Sequence, residues 1–185
     1  IAPYPFTTLH PLVGVIDYRD GFRVRAADVP GLVQGAAEGR GRGSEFLRHL
    51  ERTKALLYIV DAAGVDGRDP IDDFRVLVEE IMNYGDGDML DRPALVAANK
   101  LDLLAAADAD RISRALREVA EEVGIRFDGS HVHRISAGVT GEGLGALSRE
   151  IRRVVEESEA ERQKQLIKDS RPAVLSNLRG FSFKA

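Results

Sequence analysis

Two uninterrupted apolar runs of strand length constrain the fold of this chain more than any other feature of its sequence. They are residues 55–61 (ALLYIVD) and 94–98 (ALVAA). A strand with one face in water alternates polar and apolar residues, whereas a strand covered on both faces is apolar throughout. Because strands covered on both faces occur mainly in parallel sheets flanked by helices, the two runs predict an α/β domain. Residues 132–135 are a weaker candidate for the last strand.

Hairpin and helical patterns surround these runs. Asp20 and Gly21 favour the positive φ angles of a tight turn, and they separate two segments, 12–19 and 22–28, which we predict to pair antiparallel. Apolar residues at steps of three and four predict four helices, at 44–52, 71–84, 109–123 and 144–157. Strands that alternate with helices indicate a mostly parallel sheet with one antiparallel edge hairpin.

Composition limits the class of protein. The 185 residues are 44% hydrophobic and 30% charged, which is ordinary for a globular domain. The chain has no cysteine, which excludes a disulfide framework, a thiolate zinc site and a cysteine nucleophile within it. No apolar stretch approaches the roughly 20 residues of a membrane-spanning helix, so no membrane span is expected. The chain begins at Ile1 without a basic and apolar leader, so we expect it to be a fragment.

Charge is distributed unevenly along the chain. The net charge is −4, but residues 161–185 contain six basic and two acidic residues, so this tail carries +4 and the remainder −8. We therefore predict a domain at 1–160 and a basic extension at 161–185, which has little order of its own and is broken at Pro172 and Gly180. An anionic partner for the tail and an ordinary solvated terminus are both open interpretations.

A polar tetrapeptide, Asn99-Lys100-Leu101-Asp102, directly follows the second apolar run. The Asp102 carboxylate can accept hydrogen bonds from both the N1–H and the N2 amine of guanine. Adenine lacks that pair of donors, and a mispaired buried carboxylate is costly, so such a site selects guanine. The Lys100 stem can cover the base, and Asn99 can tie the loop to its neighbours. In isolation, a polar turn with a helix cap explains the tetrapeptide equally well.

Two further groups of residues flank the predicted hairpin. Asp28 and Gly31 follow its second strand, where the carboxylate can hold Mg²⁺ through water and the glycine N–H can approach a phosphate. Thr7 and Thr8 precede its first strand, and a threonine hydroxyl can enter the magnesium shell directly. Taken one at a time, each group is explained better by an ordinary turn.

The last candidate strand is followed by Ser136 and Ala137. The backbone N–H of Ala137 is a possible donor to the guanine carbonyl. Alone, this pair of residues does not distinguish a nucleotide site from a surface loop.

The order of these motifs along one chain resembles that of a GTPase domain. Four longer segments resemble, more narrowly, the Obg family of ribosome-associated GTPases: YPFTTL at 4–9, ADVPGLVQG at 27–35, FLRHLERT at 46–53 and GRDP at 67–70. The similarity covers roughly residues 1–157. It implies a Ras-like α/β domain of the P-loop GTPase class, which binds GTP or GDP together with Mg²⁺.

The resemblance also implies a role for each matching residue. Thr7 and Thr8 belong to the first switch, and Asp28 and Gly31 begin the second. Thr8 and Asp28 are then the magnesium ligands. The guanine base is recognised by Asn99, Lys100, Asp102, Ser136 and Ala137.

At the level of the cell, the resemblance implies a switch that hydrolyses GTP to GDP and phosphate. Its implied task is the assembly or maturation of the large ribosomal subunit. The expected partners are a subunit precursor, made of rRNA and ribosomal proteins, and other assembly factors. We expect a ribosome-associated location, in a mitochondrial matrix or, alternatively, in a bacterial cytoplasm.

Two departures qualify this expectation. The phosphate-binding Gly-x-x-x-x-Gly-Lys-Ser/Thr loop is missing, because no Gly-Lys pair occurs in the 185 residues, so we expect the domain to be incomplete at its N-terminus and to lack a central strand. Leu32 stands where Ras-like enzymes place a water-orienting glutamine. Obg-like proteins share this apolar residue, so the resemblance implies slow hydrolysis unless a partner or another side chain positions the water. The alternative function is a catalytically inactive G domain that serves as a scaffold or binding module on a ribosomal particle.

Overall fold

The computed structural model describes residues 12–28, 53–65, 67–82, 91–126 and 132–178. Side chains are described within these ranges up to Lys168, except that of Glu80. The predicted helix at 44–52 lies outside the described residues. So do four of the residues named for the candidate site: Thr7, Thr8, Gly31 and Leu32.

The predicted hairpin is confirmed. Strands β1 (Val13–Asp17) and β2 (Arg23–Ala27) pair antiparallel. In the connecting turn, Tyr18 N–H donates to the Phe22 carbonyl and Gly21 N–H donates to the Tyr18 carbonyl, both at 2.9 Å. Gly21 has φ +84°, so it supplies the left-handed residue that the tight hairpin loop requires.

Three parallel strands form the sheet that the apolar runs predict. They are β3 (Leu56–Asp61), β4 (Ala94–Asn99) and β5 (His133–Arg134), in the spatial order β3-β4-β5. Within the described residues, the hairpin forms a separate two-stranded sheet and is not hydrogen-bonded to the parallel one. The predicted combination of a parallel sheet and an antiparallel hairpin is confirmed.

Helices follow the strands in the expected alternation. They are α1 (Pro70–Met82), α2 (Ala106–Glu122) and α3 (Leu144–Leu178), with a 3-10 turn at Leu101–Leu103 between β4 and α2. The start of α1 has clear local causes. Asp69 Oδ1 accepts the N–H groups of the second and third helical residues at 2.7 and 3.2 Å, and proline occupies the first helical position.

Helix α3 is much longer than predicted. The sequence pattern placed its end at Glu157, but the helix continues to Leu178 and passes Pro172, where a break was expected. The residues after Glu157 are mostly strong helix formers, such as Glu, Ala, Arg, Gln and Lys, which need no apolar face to be helical. Periodicity therefore missed them, because it detects only a helix that packs on a core. No helix in the described part of the chain is long and apolar enough to cross a membrane.

The core has two layers, one on each face of the parallel sheet. On one face, Phe74 and Val78 of α1 and Leu116 of α2 are fully buried, and the Phe74 ring meets the Tyr58 ring edge-on at 5.6 Å. On the other face, Val154 of α3 is fully buried. In the described part of the chain, the sheet is thus held between two helices on one side and one helix on the other.

Strand β4 is covered on both faces, as predicted, but β3 is not. Residues 94–98 are all buried. In β3, burial alternates from Leu56 onward, and the intervening Leu57 and Ile59 are 37% and 55% exposed. The reason is that α3 packs over β4 and β5, whereas β3 lies at the edge of the sheet that the described residues form. The apolar run therefore indicated a parallel strand but overstated its burial in this chain.

Candidate functional site

The predicted base-recognising residues lie at one edge of the parallel sheet. Asn99 is the last residue of β4, and Lys100 and Asp102 follow it directly. Ser136 and Ala137 lie just beyond the end of β5. Since neighbouring parallel strands end at the same edge, their loops meet there. The structure therefore brings all five residues together, although 38 positions separate Asn99 from Ala137 in the sequence.

Asn99 joins the loops on both sides of β4. Its side-chain Oδ1 accepts the N–H of Ala137 at 3.0 Å, and its backbone carbonyl accepts the N–H of Ala62 at 3.0 Å. Asn99 thus makes the structural tie that was expected of it. The N–H of Ala137, expected to donate to a guanine carbonyl, already has a partner, so base binding requires this donor to be shared or exchanged.

Asp102 is oriented by Ser136. The Ser136 hydroxyl donates to Asp102 Oδ1 at 2.5 Å and also accepts the N–H of Thr140 at 3.3 Å. Ser136 is only 1% exposed, whereas Asp102 is an exposed residue. A buried hydroxyl therefore fixes one carboxylate oxygen and sets the direction in which the carboxylate faces solvent. A carboxylate held in this way is prepared to accept two parallel N–H groups.

Lys100 has an unusual backbone conformation. With φ 65° and ψ 32° it is left-handed, and it is the single non-glycine residue with positive φ in the described ranges. The next residue, Leu101, donates its N–H to the Ile135 carbonyl at 3.3 Å, which joins this turn to the end of β5. The Lys100 ammonium lies 2.6 Å from Asp61 Oδ2. The turn after β4 is therefore held to both neighbouring strands.

Backbone hydrogen bonds within the loop after β5 hold it in a compact conformation. Ser136 N–H donates to the Glu142 carbonyl at 3.1 Å, and Gly141 N–H donates to the Ser136 carbonyl at 2.8 Å. Gly143 has φ +75°, and a Cβ there would lie 1.9 Å from the Arg134 carbonyl oxygen. No other residue fits at that position without moving the backbone. Glycine thus allows this loop to fold tightly enough to bring Ser136 under Asp102.

The candidate magnesium site is described only in part. Asp28 follows β2 directly, and its N–H donates to the Leu12 carbonyl at 2.7 Å, which fixes the residue at the end of the hairpin. Thr8, the other candidate ligand, lies outside the described residues, as do Thr7 and Gly31. The Asp28 carboxylate is compatible with a water-mediated magnesium contact. Among the described residues, no cluster of three ligating side chains occurs.

Sequence reasoning missed Asp61. It is the last residue of β3 and lies opposite Asn99 in the parallel register. The signal that selected Asp28, a carboxylate at the carboxyl end of a strand, is equally present at Asp61. The sequence did not reveal its partner, because Lys100 is 39 residues away.

Residues 1–100 match the family model described as 50S ribosome-binding GTPase. The GTPase Obg of Opitutus terrae is 56% identical over 110 residues, which cover 57% of this chain and 32% of that protein. The chain belongs to the Obg family of GTPases. Another Obg GTPase, from Natranaerobius thermophilus, is 43% identical over 148 residues, which cover 80% of this chain and 32% of that protein. This Obg chain thus spans about a third of the length of these relatives.

A solved structure shows the same fold. It is the crystal structure of Era in complex with MgGDPNP and nucleotides 1506-1542 of 16S ribosomal RNA. The likeness has a TM-score of 0.58 and 22% identity, and it covers 82% of this Obg chain and 46% of the Era chain. It supports the Ras-like G-domain architecture predicted from the motifs.

Proposed function

We propose that this Obg chain is part of a switch that binds and hydrolyses GTP and acts in the assembly of the large ribosomal subunit. The observation that carries the proposal is the Asp102–Ser136 contact at 2.5 Å, at the same sheet edge as the Asn99–Ala137 contact at 3.0 Å. Two loops from separate strands are locked together around one oriented carboxylate. The Asp102 carboxylate can accept hydrogen bonds from the N1–H and the N2 amine of guanine. Adenine does not present this pair of donors.

Magnesium and phosphate binding would involve the hairpin. Asp28 is placed at the end of β2 and would hold Mg²⁺ through water, with Thr8 as a second ligand. Bound magnesium would neutralise charge on the phosphates during hydrolysis. Leu32 cannot donate or accept a hydrogen bond through its side chain, so the chain itself orients the attacking water poorly. We therefore propose slow hydrolysis that times release from a partner and is accelerated by that partner.

Ribosomal RNA and ribosomal proteins are the proposed partners, with other assembly factors beside them. Three lines of support exist: the description of the matching family, the Obg relatives, and the RNA bound to Era in the structure of similar fold. The relatives are bacterial, so the mitochondrial location expected from the sequence has no support among them. We propose association with ribosomal particles in a bacterial cell.

The test is nucleotide-dependent binding of the full-length protein to purified large subunits, measured by sedimentation with GDP, a non-hydrolysable GTP analogue or an ATP analogue. We expect the GTP analogue to favour binding, GDP to favour release and the ATP analogue to have no effect. Turnover of GTP is measured in parallel, with and without subunits. If subunit binding is the same with every nucleotide and no GTP is hydrolysed, the switch is contradicted and the scaffold alternative is supported.

A further inference from the structure

Asp61 is an acidic residue in direct contact with the predicted base-recognising loop, and the motifs leave it without a role. Its Oδ2 lies 2.6 Å from the Lys100 ammonium, and its Oδ1 accepts the N–H of Ala63 at 3.1 Å. Both oxygens therefore have partners. The side chains of Asp61 and Lys100 are each 29% exposed, so the ion pair is partly shielded from water. Shielding makes a charge-assisted hydrogen bond stronger than one on the surface.

The position of Asp61 is fixed by the sheet. It ends β3 and lies opposite Asn99, the last residue of β4, in a parallel register that continues from Leu56. Beyond this pair, the Ala62 N–H donates to the Asn99 carbonyl at 3.0 Å. The carboxylate is therefore attached to a rigid element, and the lysine that it holds follows β4 on a turn.

The conformation of Lys100 requires stabilising contacts of this kind. Its left-handed backbone brings Cβ close to the following carbonyl oxygen, a conformation that non-glycine residues adopt mainly where surrounding contacts enforce it. Lysine also has a flexible four-carbon stem, which in water samples many rotamers. An ion pair at the tip of the side chain restricts both the stem and the turn.

We propose that Asp61 is a positioning residue for nucleotide recognition, which holds Lys100 so that its alkyl stem lies along the face of the bound base. The inference rests on the proposed function, because it assumes that the base binds between the loops that follow β4 and β5. Stem and base make an apolar contact that does not depend on the N2 amine of guanine. Asp61 thus contributes to affinity for a purine, whereas Asp102 determines which purine is bound.

The test compares Asp61→Asn with the unaltered full-length protein in equilibrium binding of GDP and of inosine diphosphate, which lacks the N2 amine. We expect Asp61→Asn to weaken both affinities by a similar factor of about 5 to 10, so that the ratio between them is preserved. Asp61→Glu, which keeps the charge, should recover part of the loss. Asp73→Asn is the matched control, because Asp73 forms a comparable ion pair with Arg68 at 2.6 Å in the first turn of α1.

A double-mutant cycle tests whether Asp61→Asn weakens nucleotide binding through Lys100. We expect Asp61→Asn to cause no further loss in a Lys100→Met background. Full additivity would overturn the proposal, as would a changed ratio of GDP to inosine diphosphate binding. Circular dichroism and thermal melting of each variant separate a loss of folding from a loss of positioning. If the unaltered protein does not bind GDP, the proposed function fails; if it binds GDP and Asp61→Asn binds equally well, only this inference fails.

Discussion

Arg152 of α3 forms a 2.6 Å ion pair with Asp20 at the tip of the β1–β2 hairpin. The Arg152 guanidinium also lies over the rings of Tyr18 and Phe22, at 5.3 and 4.7 Å from their centroids. Tyr18 Oη donates to the Ser148 carbonyl at 2.7 Å, which adds a second tie between hairpin and helix. Because Asp28 follows β2, these interactions help to determine where the candidate magnesium ligand lies.

Replacing Arg152 with methionine should release the hairpin from α3. We expect the thermal midpoint of unfolding to fall by a few degrees at neutral pH, because the substitution removes both the ion pair and the cation–π interactions. Arg149→Met, an exposed arginine on the same helix, is the control and should have little effect. An equal fall in both variants would mean that loss of a surface arginine, and not the tie to the hairpin, is responsible.

The same pair predicts a pH dependence. The hydrogen bond from Arg152 holds the pKa of Asp20 below its ordinary value of 3.8. A lowered folded-state pKa stabilises the protein above the unfolded-state value, and this contribution is lost as pH falls through the folded-state pKa. We therefore expect the difference in thermal midpoint between the unaltered protein and Arg152→Met to shrink as pH is lowered from neutrality to below the folded-state pKa. A difference that does not change with pH would contradict this assignment.

Tyr58→Phe should stabilise the protein. Tyr58 is 4% exposed, and its hydroxyl has no hydrogen-bond partner among the described residues. Removing that group while keeping the ring against Phe74 should raise the free energy of unfolding by about 1 kcal/mol at neutral pH. Tyr18→Phe is the matched control, since it removes a hydroxyl that donates a hydrogen bond, and it should destabilise. Urea unfolding of both variants measures the two effects.

Burial also raises the pKa of Tyr58 to about 12. A raised folded-state pKa means that stability is complete below the unfolded value near 10 and falls as pH rises toward 12. The unaltered protein should therefore lose roughly 2 kcal/mol more than Tyr58→Phe over that interval. Urea unfolding of the two proteins at a series of alkaline pH values measures this difference. If the free energies of unfolding depend on pH in the same way, the assignment of a buried Tyr58 hydroxyl is contradicted.

Asp102→Asn should change base preference. The amide oxygen can still accept from N1–H, but the amide NH₂ group opposes the N2 amine of guanine, donor against donor, and instead matches the 2-carbonyl of xanthine. We expect GDP affinity to fall roughly 10- to 100-fold and affinity for xanthosine diphosphate to rise. Competition binding in the full-length protein measures both. Asp108→Asn, in the first turn of α2, is the control; unchanged GDP selectivity in Asp102→Asn would refute base recognition by this residue.

Gly143→Ala should damage the loop that supports Ser136. The left-handed backbone alone costs about 1–2 kcal/mol for alanine, and the overlap with the Arg134 carbonyl adds to that cost. We expect lower thermal stability together with weaker nucleotide binding. Gly138→Ala provides the comparison, because a Cβ there meets no atom within 4 Å and the backbone φ is not positive. Equal stability of the two variants would show that the loop can rearrange.

The exposed basic end of α3 should contribute to RNA binding. Glu161 still pairs with Arg126 of the domain body at 3.1 Å, and three basic residues, Arg162, Lys164 and Lys168, follow it along the helix. Changing these three residues to glutamine preserves helix propensity but removes charge. For each phosphate that is no longer neutralised, the slope of log affinity against log salt should become shallower by roughly 0.7 to 0.9. An unchanged salt slope for ribosome binding would leave this part of α3 as a spacer.

The sequence was sufficient to predict the parallel strands, the hairpin and the edge of the sheet where the candidate site lies. Apolar runs reveal parallel strands, and the polar residues that follow them, such as Asn99 and Ser136, are then placed at one edge by the rules of parallel sheets. The glycine at position 21 likewise indicated its turn, because positive φ is a local requirement. These features depend on residues that are close together in the sequence.

The tertiary structure alone determined which side chains meet. Asp61 and Lys100 are 39 residues apart, and Tyr18 and Ser148 are 130 apart, so no local pattern encodes either contact. The exposure of Leu57 and Ile59 was also decided by where the helices pack. Local propensity determines what a segment becomes. The partners of a side chain depend on how distant segments are brought together, since that arrangement follows from burying the whole core at once.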